Sequence, residues 1–205
     1  MTARARFVQD AVTPISAPLA LDVPGVPGGL LPGTRLFTVD GVRTVDRLRA
    51  GDLLLDRDGA PVRLLRVIRT ALTDLPVIVD VDACGYGSPA RPLLMSADHC
   101  IVVGGTPLEE CFGLIEALAP VGALVNGRTV RRAGGETDAV AHHLLCDRPA
   151  VLVAEGMLVQ NLSNGGTQLP LLTHAEARLL ALAGWDTKPG GDRMTDEGPR
   201  LSQAG

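Results

Sequence analysis

The most chemically suggestive stretch of this 205-residue chain is Ser96-Ala97-Asp98-His99-Cys100. A histidine titrates near neutrality, so His99 suits proton transfer to a departing nitrogen. Ser96 stands three residues before it and Cys100 directly after it. Cys100 is a poor working partner for His99, because adjacent side chains on a strand point to opposite faces. A second cluster is His142, His143, Cys146 and Asp147. Its spacing fits no standard zinc pattern and its adjacent histidines diverge on a strand, so a satisfied polar strand end is the plainer reading. No metal and no other cofactor is expected. Cys84, Cys111 and Cys146 read as small hydrophobes, and the four cysteines lack the paired spacing of a zinc site or the density of a disulfide scaffold.

These groups have to be held by elements rich in turns and poor in rings. The chain is 46% hydrophobic and 20% charged, with mean hydropathy +0.22. That balance excludes a disordered chain. Phe7, Phe37, Phe112, Tyr86 and Trp185 are its five aromatic residues, so the core must be aliphatic. A net charge of −4 gives no basic nucleic-acid footprint. No stretch approaches the ~18 apolar residues of a membrane span, and the N-terminus lacks the ~7–15-residue apolar core of a secretory signal. The expectation is a soluble protein, cytoplasmic by default, with signal-less export left open, and with neither nucleic acid nor membrane as partner.

Residues 1–28 read as an extended leader, broken by Pro14, Pro18, Pro24 and Pro27. From Thr34 onward, short apolar bursts alternate with turns. Strands are expected over 34–39, 42–45, 52–56, 62–69, 76–81, 93–96, 100–103, 121–125, 129–132, 139–146 and 151–154. Asp40-Gly41 and Asn126-Gly127 are hairpin dipeptides. Helical spacing sets 108–118 apart, ended by Pro120. Thr173-His174-Ala175-Glu176 matches a capping box, which opens a helix over about 173–183, with Gly184 as its stop. After Trp185 the composition is that of a disordered tail. Strands at roughly ten-residue spacing make the fold all-β, a sandwich or barrel-like class.

Four blocks occur in order. They are Gly29-Leu30-Leu31-Pro32-Gly33-Thr34, running on to Gly51-Asp52-Leu53; Leu94-Met95-Ser96-Ala97-Asp98-His99; Leu124-Val125-Asn126-Gly127; and His142-His143-Leu144-Leu145-Cys146-Asp147-Arg148, running on to Gly156. Together they resemble the Hedgehog/intein, or Hint, domain family in its bacterial form. The resemblance implies a Hint-type horseshoe of short strands, which would span 29–165; the short C-terminal α-helix and loose tail read from the residues then fill 166–205, and both termini read as flexible. It also implies protein autoprocessing on the chain itself, in cis. In that family a Cys or Ser at the first residue of the domain attacks the preceding carbonyl, an N-to-S or N-to-O acyl shift.

Carried over position by position, His99 would serve the amide nitrogen and Ser96 would hold the scissile amide. His143 and Asp147 fall in the late block, where the Asp would assist the nucleophile. The nucleophile position is Gly29, which has no attacking atom. An intein-like ending would need a cyclising asparagine; Asn161 follows Gln160 rather than a His, and Asn164-Gly165 reads as a flexible turn. The first expectation is therefore a Hint-fold module that has lost autoprocessing and acts through an unidentified protein partner. The others are an active enzyme using a different nucleophile, and an all-β binding module outside the family.

Overall fold

The computed structural model describes residues 28–134, 139–163 and 169–185. The leader over 1–27, Asn164, Gly165 and the tail beyond Trp185 lie outside the described residues. Twelve short strands and two short helices are described. The strands are β1 (Arg35–Thr38), β2 (Gly41–Thr44), β3 (Leu53–Leu55), β4 (Pro61–Ala71), β5 (Val77–Val79), β6 (Leu93–Met95), β7 (Cys100–Gly104), β8 (Glu116–Pro120), β9 (Val130–Arg132), β10 (Val140–Cys146), β11 (Val151–Ala154) and β12 (Met157–Gln160). The helices are α1 (Thr106–Phe112) and α2 (His174–Leu182). The architecture is all-β, as the turn-rich sequence implies.

Nine strands form one sheet, ordered β10-β4-β3-β1-β11-β12-β7-β8 with β2 beside β1. Three more form a small sheet, β6-β5-β9. All named pairings are antiparallel. The core is aliphatic, with Leu36, Leu54, Val62, Leu64, Ile101, Leu152 and Val159 at its centre and Trp185 against it. The pairing of β4 with β10 runs from Val140↔Ala71 to Cys146↔Leu64, with a bulge between Leu145 and Cys146. The bulge turns Leu65 outward, half-exposed, in an otherwise apolar run.

Three segments differ from the sequence expectation. The 108–118 region is a helix only to Phe112. Gly113 then takes a left-handed φ of 67°, and 116–120 extends as β8 against β7. The helical spacing of Leu114 and Leu118 is coincidental, since pairing with the core strand β7 wins over local periodicity. Residues 121–124 form a 3-10 turn rather than a strand, so Asn126-Gly127 does not close a hairpin. Instead the Asn126 carboxamide oxygen accepts from the N–H groups of Arg128, Thr129 and Val130, and β9 pairs with distant β5. The third is β12, which was not expected. It follows the two-residue turn Glu155-Gly156, whose φ values of 51° and 84° are those of a type I′ hairpin. The α2 capping box forms as expected: the Thr173 hydroxyl accepts from Glu176 N–H, and Glu176 reaches back to Thr173 N–H at 2.7 Å. Among the described residues no helix is long and apolar enough to cross a membrane.

Candidate functional site

The two sheets meet along residues 28–31. Leu30 bridges to Met95 of β6 on one side and to His142 of β10 on the other. Leu30 N–H donates to His142 O at 3.0 Å, and His142 N–H returns to Leu30 O at 2.8 Å. Leu31 N–H donates to Leu94 O at 3.1 Å, and Ser96 N–H donates to Gly29 O at 2.9 Å. This seam is one extended segment used as an edge partner by both sheets. Leu30 and Leu31 are buried beneath it.

The Gly28–Gly29 peptide sits where Ser96 and His99 converge. Ser96 Oγ accepts from Gly29 N–H at 2.7 Å. The ring of His99, through Nδ1, meets the Gly28 carbonyl oxygen. A carbonyl can only accept, so Nδ1 carries the proton and Nε2 a lone pair. His99 therefore faces the oxygen of this peptide, and the amide nitrogen is engaged by the serine. The turn that carries both is closed by His99 N–H to Ser96 O at 3.0 Å. The 3-10 turn behind it adds Gly122 N–H to Ala97 O and Val121 N–H to His99 O, at 2.8 and 2.9 Å.

Two hollows flank that peptide. One is lined by Gly28, His99, Cys100, His142, His143 and Asn161, among others. In it His99 Nε2 and His142 Nδ1 are buried without a partner. The other is an open groove with Gly28, Ser96, Asp98, Thr70, Asp74 and His143 in its wall. His143 Nε2 lies 2.7 Å from Thr70 Oγ1. Burial pushes the His99 imidazole down to about 4, against the pull of the Gly28 carbonyl and with His143 adding to the drop. Burial lowers His142 as well, helped by Arg69 on β4, while Asp46 pulls upward. His99 and His142 are thus both favoured in their neutral forms.

The remaining candidates are placed elsewhere or made inert. Asp147 is exposed at the end of β10, where Oδ1 accepts from Arg63 N–H at 3.2 Å, outside the cluster around Gly28. Cys100 is buried; burial, then Asp98, pushes its thiol up to about 11. Cys146 is likewise pushed up to about 11, burial first. Neither is a thiolate at neutral pH. Asn161 lines the first hollow, but its Oδ1 accepts from Ala150 N–H and its Nδ2 donates to Arg148 O, both at 2.8 Å. Among the described residues no group of three or more His, Cys, Asp or Glu is arranged to hold a metal ion.

Gly29 lacks a nucleophile and also lacks room for one. A Cβ built there would lie 2.9 Å from N, C and O of His142, closer than real Cβ contacts. At Gly28 it would lie 2.0 Å from Ser96 Oγ and 2.3 Å from His99 N. Gly28 and Thr70 belong to the site but are not among the candidates that the sequence motifs single out. The signal in the sequence is the Gly28-Gly29 pair directly before Leu30-Leu31, since only glycine tolerates so close a backbone approach.

With the geometry in hand, comparison with known proteins gives one family and a set of folds. The Hint domain family model matches residues 29–166. The solution structure of a bacterial intein-like domain from Clostridium thermocellum is similar at 11% identity and TM-score 0.49, over 65% of this chain and 98% of that one. The MchDnaB-1 intein crystal structure is similar at 17% and 0.45, over 65% and 99%, and the gp41-1 intein at 12% and 0.43, over 65% and 98%. No curated protein matches the chain.

Proposed function

The chain belongs to the Hint-domain family, and we propose that it is a member of this self-processing family in which the opening acyl shift is lost. The observation that carries this reading is Gly29. An acyl shift begins when a side-chain sulfur or oxygen attacks the preceding carbonyl. Here the attacking atom is missing, and the His142 backbone fills the space a Cβ would need. Oriented donors beside a carbonyl cannot replace a nucleophile. Ser96 and His99 hold the 28–29 peptide, His143 lines the groove beside it, and Asp147 takes no part. The domain proper runs over 29–165, and its partner is its own chain in cis or another protein bound without chemistry.

Intact-mass spectrometry after long incubation tests this. The expected result is the full-length mass, unchanged by dithiothreitol or hydroxylamine, both of which intercept thioesters and esters. A break between Gly28 and Gly29, or after Asn161, overturns the reading. Gly29→Cys is the sharper variant. It is expected to stay uncut with thiol present, because the new Cβ forces the seam off His142.

A further inference from the structure

We propose that the cleft between β6 and β10 is a peptide-recognition groove for an extended segment of two glycines followed by two large aliphatic residues, occupied by the chain's own residues 28–31. This rests on reading the site as one that holds a peptide without cutting it. The groove engages the main chain of its occupant along both edges. Both edges of the segment are read: Leu30 pairs with His142 and Met95, Leu31 with Leu94, and Gly29 with Ser96. That is strand addition, with the difference that two sheet edges clasp one segment.

Selectivity comes from three places. At the first position any Cβ collides with Ser96 Oγ and His99 N. At the second it collides with the His142 backbone, which cannot retreat without breaking its two bonds to Leu30. At the third and fourth positions Leu30 and Leu31 are 1% and 7% exposed, so aliphatic bulk is needed to fill the core. The His99 ring on the Gly28 oxygen and the Ser96 hydroxyl on the Gly29 N–H fix the register.

The test uses the full chain with a protease site inserted between Pro32 and Gly33. Both are exposed, and a Cβ on Gly33 would meet nothing within 4 Å. After cutting, a fluorescent peptide with the sequence of residues 26–32 is added and anisotropy followed. The expected result is saturable exchange, with alanine at either glycine weakening binding by about tenfold or more. Equal binding of the alanine peptides, or no exchange in a cut protein that stays folded, overturns the proposal. If cutting unfolds the protein, hydrogen exchange on uncut Gly28→Ala decides. The amides of Gly29, Leu30, Leu31, Ser96 and His142 should lose protection together while those of β11 and β12 keep it; unchanged protection overturns the proposal. Failure of the non-cutting reading looks different: a chain break at 28–29 in the unmodified protein, whatever the glycine selectivity.

Discussion

At one end of the hollow behind Gly28, His99 Nε2 and His142 Nδ1 are buried with no partner. At the other end, Asn161 binds Ala150 N–H with one carboxamide atom and Arg148 O with the other. Nearby, Arg148 pairs with Asp56 at 2.8 Å, and Asp56 Oδ1 accepts from Asp58 and Ala60 N–H. Both ends are polar and buried. They differ in whether the polar atoms are already satisfied. A satisfied carboxamide is architecture, because moving it leaves a buried donor and acceptor stranded. An unpartnered imidazole atom is unspent hydrogen-bonding capacity, and it marks the end where a peptide is held.

The comparison breaks most sharply at Gly28. Gly28→Ala should lower stability by about 3 kcal/mol, since the added methyl overlaps Ser96 Oγ and the His99 backbone. Gly134→Ala is the control, with nothing within 4 Å of its Cβ, and should shift stability by no more than about 0.5 kcal/mol. Urea melts of both variants measure the difference. Equal losses would show that the peptide end is as yielding as the surface.

Titration separates the two ends next. His99 is held near 4 by burial, below its ordinary 6.5. The unfolded chain therefore takes up the proton first as pH falls. Stability from this group is complete above about 6.5 and is lost as pH falls from there toward 4. Between pH 7.5 and 4.5 the loss is on the order of a few kcal/mol. His142, also lowered, adds in the same direction. His99→Gln should flatten the slope in urea melts across that range. An unchanged slope would mean that His99 is not the buried neutral group. Asn161→Ala should cost about 2 kcal/mol at both pH values, because its bonds do not titrate. A pH-dependent cost at Asn161 would merge the two ends into one site.

Much of the fold was legible because turns are local. The positions of β1 through β7 follow from apolar bursts between glycine and aspartate turns, and the aliphatic core follows from the lack of rings. What was illegible depends on distant partners. β8 is a strand because β7 lies beside it, and 121–124 is a 3-10 turn because it backs the Ser96–His99 loop. The absence of a side chain at Gly29 is plain in the sequence. The closing of His142 over it is not, since residues 29 and 142 meet only through the seam. The same holds for His143 with Thr70, whose contact needs the exact register of β4 on β10.

α2 sharpens the contrast at the smallest scale, because its start is both satisfied and legible. Thr173 and Glu176 exchange hydrogen bonds within one turn, so the motif needs no distant partner. Thr173→Ala should cost about 1 kcal/mol, read from urea melts. The helix also packs on the 3-10 turn over 121–124, and Arg178 donates to Val125 O at 2.6 Å. That turn in turn grips Ala97 O and His99 O. If the grip is rigid, loosening the helix lowers stability by the same amount at pH 7.5 and 4.5 and leaves the His99 slope intact. If it is not, the slope falls with the cap, and the cap at Thr173 then governs how tightly Ser96 and His99 hold the 28–29 peptide.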